Sequence, residues 1–267
     1  MRPGFSRRVL LQSAAASVLA ACTRTTLPHD VPMPGRDRGA RRPSLAHLTA
    51  RPGPAPAVDE SRLGLQPLGL GTGRDGLVFA PEVAATGRPL PLVLMLHGAG
   101  ADARSGVAPF VGQAEDAGVI LLAPDSRRRT WDVLLDGYGP DVGFIDRALA
   151  DVFGRFTVDP ANVVVEGFSD GASYALGLGL ANGDLFRRIV AFSPGYVPSS
   201  DTEGRPSVFV SHGVADDILP IDHCSRRIVP ALRRAGYDVD YHEFDGGHEV
   251  PAEIAAEALA SVGTGIR

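Results

Sequence analysis

The stretch that decides the fold runs Val163-Val164-Val165-Glu166-Gly167-Phe168-Ser169-Asp170-Gly171-Ala172-Ser173-Tyr174-Ala175-Leu176. A short apolar, β-branched run is followed at once by Gly-Phe-Ser-Asp-Gly, and then by an Ala/Leu-rich segment of helical length. Gly-x-Ser-x-Gly alone is weak, since the pattern arises by chance in a glycine-rich chain; between a strand and a helix it describes a nucleophile elbow. Glycines at 167 and 171 permit a turn too tight for side chains, and the serine between them is presented with its hydroxyl exposed. The same turn aims the backbone N–H of Asp170 at a reacting carbonyl oxygen.

Working outward, five further strand-length apolar runs appear, at Leu92-Leu96, Val119-Ala123, Ile189-Phe192, Val208-Ser211 and Val239-Phe244. Most lack polar alternation, as expected for strands covered on both faces. Helical segments such as 142–156, 172–181 and 226–235 separate them. Strand-helix repetition predicts a mostly parallel α/β sheet with right-handed crossovers, and a piece at about 65–80 is expected to pair antiparallel at one edge. In such sheets chemistry collects at the carboxyl ends of the strands. That edge receives His97-Gly98-Ala99-Gly100, the serine motif, His212-Gly213-Val214-Ala215-Asp216 and Asp245-Gly246-Gly247-His248.

Serine is a poor nucleophile at neutral pH, so an imidazole must take its proton and a carboxylate must orient that imidazole. His248, the last of seven histidines, follows the final strand and is the expected base. His212 and His97 read as structural groups at strand ends. For the acid, Asp216 is preferred from its spacing after His212-Gly213, with Asp217 a competitor that would otherwise cap a turn, and Asp245 a distant third. Ala99 is the expected second oxyanion donor, with Gly100 as its alternate. Trp131 and Tyr138 either wall a pocket or pack beneath the loop that follows Pro124.

Together these motifs resemble the α/β-hydrolase superfamily, specifically its compact serine esterases of the phospholipase/carboxylesterase and polyhydroxybutyrate-depolymerase-like group. The resemblance covers about residues 65–260. It implies a Ser169–His248–Asp216 triad, an oxyanion hole of Ala99 and Asp170, hydrolysis of small carboxylic esters through an acyl-enzyme, and no cofactor or metal. The same triad could serve an acyltransferase or peptidase, and a hydrolase-like binding domain without turnover is the reading from another class.

Composition narrows the rest. The 267 residues are 44% hydrophobic, enough to bury a core, and all 26 basic residues are Arg, which excludes lysine Schiff-base chemistry. Residues 1–62 carry ten Arg against four acids, whereas 63–267 carry sixteen Arg against 27 acids. An acidic body argues against nucleic-acid binding. Ser6-Arg7-Arg8 ahead of 13 uncharged residues, 9–21, reads as a twin-arginine signal peptide. A helix of that length covers only about 20 Å of a roughly 30 Å bilayer core. Leu19-Ala20-Ala21-Cys22 resembles a bacterial lipobox, which predicts a lipidated Cys22 and a protein anchored to the cell envelope. Residues 22–62, rich in Pro, Arg and Gly, are read as a disordered tether, and 63–267 as the catalytic domain. Cys224 is then left without a disulfide partner and is expected as a buried small hydrophobe.

Overall fold

The computed structural model describes residues 45–54, 57, 59–71, 73–135 and 137–263. The signal peptide and Cys22 lie outside them. Eight strands, β1 (Gly64–Pro67), β2 (Gly76–Ala80), β3 (Leu90–Leu96), β4 (Ile120–Pro124), β5 (Val158–Phe168), β6 (Arg188–Phe192), β7 (Ser207–Gly213) and β8 (Val239–Phe244), form one sheet in the order β1-β2-β4-β3-β5-β6-β7-β8. β1 and β2 pair antiparallel at one edge, as the sequence predicts, and β2 also meets β4 antiparallel. Every other pairing is parallel.

Because strand side chains alternate, the continuous apolar runs feed two cores at once. Leu92, Leu94 and Leu96 enter one, while Val93 and Met95 enter the other. The first core lies under α3 (Pro140–Arg155), α4 (Asp170–Ala181) and α5 (Ser225–Arg234); the second lies under α1 (Ala103–Val107), α2 (Val111–Ala117) and α6 (Ala252–Gly263). α4 is buried all round except at Asp170, its first residue, which explains why its sequence is apolar without a polar stripe.

The expected tether requires a correction. Residues 45–54 are ordered against the domain, with Ala46 and Leu48 fully buried. Asn182, at the carboxyl end of α4, clamps this segment through both sides of its amide. Its Oδ1 accepts from Leu48 N at 2.7 Å and its Nδ2 donates to Ala46 O at 2.8 Å. Asp146 on α3 accepts from the backbone N–H groups of Thr49 and Ala50, and Arg51 pairs with Asp184. Composition misjudged the segment because two apolar side chains and a few borrowed hydrogen bonds suffice to order a strap. Burying Leu48 alone is worth about 2 kcal/mol.

Candidate active site

The elbow takes the form its sequence requires. Ser169 sits between β5 and α4 at φ 57° and ψ −119°, a conformation costly for any residue with a side chain. It persists because its surroundings over-determine it: Ser169 N donates to Phe192 O at 2.9 Å, and the flanking glycines admit close backbone approach. A Cβ on Gly167 would overlap the Gly171 carbonyl, and one on Gly171 would overlap the Leu96 carbonyl.

Three side chains from separate loops meet here in one hydrogen-bonded row. Ser169 Oγ lies 2.9 Å from His248 Nε2, and His248 Nδ1 lies 2.7 Å from Asp216 Oδ2. The Asp216 side chain is fully buried, whereas that of His248 keeps 15% of its surface exposed. Asp216 Oδ1 accepts from the N–H groups of Ile218 at 3.0 Å and Leu219 at 2.8 Å, closing a turn around the carboxylate. Asp217 is exposed, so the turn cap expected of it is supplied by Asp216 instead. His248 is also backed by the Phe168 ring, centroid to centroid 4.8 Å.

The loop after β3 provides the second wall. Gly100 N donates to Arg129 O at 2.7 Å, whereas the N–H groups of Ala99 and Asp170 have no partner among the described residues. Ala99, rather than its alternate Gly100, is therefore the amide left without a partner among the described residues. Its direction is set from behind. His97 Nε2 accepts from Ser126 N at 3.0 Å, so the ring proton is on Nδ1, which donates to Gly98 O at 2.7 Å. In a trans peptide C=O and N–H point oppositely, so holding the Gly98 carbonyl aims the Ala99 N–H the other way. Arg74 Nη2 beside Nε2, at 3.3 Å, further opposes a second ring proton, and burial holds the imidazole pKa below its ordinary value.

Sequence reasoning did not find Arg74, nor the brace behind the β4 loop. Asp132 Oδ2 accepts from Asp141 N and Asp141 Oδ2 accepts from Asp132 N, each at 2.7 Å, and Arg127 N donates to Asp141 Oδ1. This exchange of side-chain and backbone bonds fixes the segment that presents Arg129 O to Gly100. No motif spacing announces it. Trp131 is fully buried and donates its indole N–H to His97 O at 2.9 Å, so it packs beneath the loop and walls no pocket. Tyr138 is half-buried against Tyr174.

Residues 143–264 match the phospholipase/carboxylesterase family, a span that includes Ser169, Asp216 and His248. The sheet is mostly parallel with helices on both faces, and solved esterases superpose on it. The chain has an α/β-hydrolase fold. The chain superposes on esterase PE8 with a TM-score of 0.58 at 27% identity, covering 72% of this chain and 98% of that one. It resembles the carboxylesterase of Bacillus cereus in fold, with a TM-score of 0.53 at 20% identity, 72% and 96% of the two chains being covered. It is also 31% identical over 149 residues to NocK of Nocardia uniformis subsp. tsuyamanensis, a protein named for esterase activity. That match takes in 52% of this chain and 43% of NocK, so the chain spans less than half the length of this relative.

Proposed function

We propose that the protein is a serine carboxylesterase that cleaves small esters through an acyl-enzyme. The observation that carries this reading is the continuous contact from Ser169 Oγ through His248 to Asp216, at 2.9 and 2.7 Å, beside the Ala99 and Asp170 amides, which have no partner among the described residues. His248 Nε2 takes the Ser169 proton as Oγ attacks the ester carbonyl. Asp216 holds Nδ1–H and stabilises the imidazolium that forms. The oxyanion rests on the N–H groups of Ala99 and Asp170, the latter at the positive end of α4. Collapse breaks the ester C–O bond, and the alcohol leaves with the proton from His248. Water then attacks the acyl-serine, giving a proton to His248, and the acid departs as that proton returns to Ser169 Oγ.

The direct test is Ser169→Ala, assayed on p-nitrophenyl esters and by labelling with a fluorophosphonate. Loss of a triad serine costs far more than about 10²-fold in kcat, so the variant is expected to show neither turnover nor label while melting as the wild type does. More than about 1% residual activity would point to another nucleophile.

We also infer export by the twin-arginine route and lipidation at Cys22, with the catalytic domain held at the cell envelope. The Arg7-Arg8 pair, the 13-residue uncharged run and Leu19-Ala20-Ala21-Cys22 support this. Among the described residues no helix is long and apolar enough to cross a membrane. Mass spectrometry of the membrane-extracted protein should find an acylated Cys22 at the mature N-terminus, and an unmodified terminus further downstream would refute it.

A further inference from the structure

His212, next to the last residue of β7, approaches the same Asp216 Oδ2 that His248 contacts, and its side chain has no exposed surface. Its Nε2 faces two acceptors, Leu219 O at 2.8 Å and Asp216 Oδ2 at 3.2 Å. Neither can donate when the carboxylate is ionised, so Nε2 carries a proton. Its Nδ1 lies 2.7 Å from Ser225 Oγ, the first residue of α5, whose hydroxyl supplies the complementary donor. The imidazole is thus held in one neutral tautomer by partners on both sides, and burial keeps its pKa below the ordinary histidine value.

The bonds around it form a closed set. Asp216 Oδ1 takes the Leu219 amide, and His212 takes the Leu219 carbonyl, so both ends of that residue's peptide geometry are fixed around the acid. Asp216 Oδ2 is left for His248 Nδ1, with the His212 N–H behind it. Through Ser225 the arrangement is tied to α5, a rigid element outside the loop.

We propose that His212 is a positioning residue for the reaction: its Nε2–H, directed at Leu219 O and Asp216 Oδ2, holds the acid's turn in register with His248. This rests on the Ser169–His248–Asp216 reading above. A histidine that merely fills the end of a strand would affect folding but not kcat at constant KM. The two amide substitutions separate these roles, because Gln places its amide near the position of imidazole Nε2 and Asn near that of Nδ1.

The experiment measures kcat and KM on p-nitrophenyl acetate, with melting temperature and fluorophosphonate labelling of Ser169, for wild type, His212→Asn and His212→Gln. His212→Asn leaves Leu219 O and Asp216 Oδ2 without their donor, and its kcat is expected to fall about 10- to 100-fold with KM within about twofold, as for a lost hydrogen bond to a charged group. His212→Gln is expected to recover kcat to within about fivefold of wild type. Equal kcat values for the two variants, or a loss confined to KM, would overturn the proposal. Should His212→Asn fail to fold, Ser225→Ala carries the test by freeing the tautomer: a fall in kcat of about threefold or more at unchanged KM is expected, and wild-type kcat would refute the assignment. A wild-type protein that neither labels nor turns over would remove the triad reading itself, an outcome distinct from active wild type with unaffected variants.

Discussion

Glu166 offers a quantitative test of how the sheet tolerates a charge three residues before the nucleophile. Strand alternation sends Val163 and Val165 into one core and Val164 into the other, so Glu166 points to the same side as Val164. There its register neighbours are Met95 and Val190, both buried. Its carboxyl makes no hydrogen bond or ion pair among the described residues, and burial alone pushes it up from 4.5 to about 8. The folded protein therefore holds a proton at pH 7 that the unfolded chain releases. For a group whose folded pKa is raised, stability is fully present below the unfolded value of 4.5 and is lost as pH rises through about 8. At about 1.36 kcal/mol per unit, the penalty is under 1 kcal/mol at pH 5, about 3 kcal/mol at pH 7 and about 4 kcal/mol at pH 8. Glu166→Gln keeps the shape and removes the titration. Its melting temperature, followed by circular dichroism, should lie within about 3 °C of wild type at pH 5 and exceed it by roughly 8–16 °C at pH 8, at about 2–4 °C per kcal/mol. Parallel melting curves for the two proteins across pH 5–8 would show that Glu166 is ionised in the fold and refute the reasoning.

Other outcomes follow from the site. Asp216→Asn should lower kcat by about 10³ to 10⁴ because the amide neither fixes the His248 tautomer nor stabilises its charge, whereas exposed Asp217→Asn should leave kcat near wild type; the reverse result would transfer the acid role to Asp217. Gly171→Ala drives a methyl into the Leu96 carbonyl, and at least about 3 kcal/mol of destabilisation by urea unfolding is expected; a neutral result would mean the elbow can open without cost. His97 and His212 both have folded pKa values held below the ordinary 6.5, so the unfolded chain binds protons first and stability falls as pH drops through about 6.5. In the Glu166→Gln background this should appear as a lower melting temperature at pH 5.5 than at pH 7, and a flat profile would contradict it.

Much of this architecture is legible in the chain itself. Runs of β-branched and aliphatic residues without alternation can only be strands covered on both sides, and Gly167-Phe168-Ser169-Asp170-Gly171 between such a run and a helix leaves few alternatives for the backbone. The edge rule for parallel sheets then brings Ala99, Ser169, Asp216 and His248 to the same end of the molecule before any coordinate is known. These are consequences of periodicity and of local sterics, which act over a few residues.

What the tertiary structure decided depends on partners far apart in sequence. Asp216 rather than Asp217 faces inward because its two oxygens are claimed separately, one by the amides of Ile218 and Leu219 and one by His248, 32 residues away. Ala99 rather than Gly100 is the free amide because Arg129, brought near by the Asp132 and Asp141 brace, occupies Gly100. The strap at residues 45–54 is ordered by Asn182 and Asp146, and nothing within its own ten residues announces those partners. A motif fixes which chemistry is possible through local backbone geometry, but the allocation of individual donors and acceptors around the site is settled only when the packed fold brings their distant partners into reach.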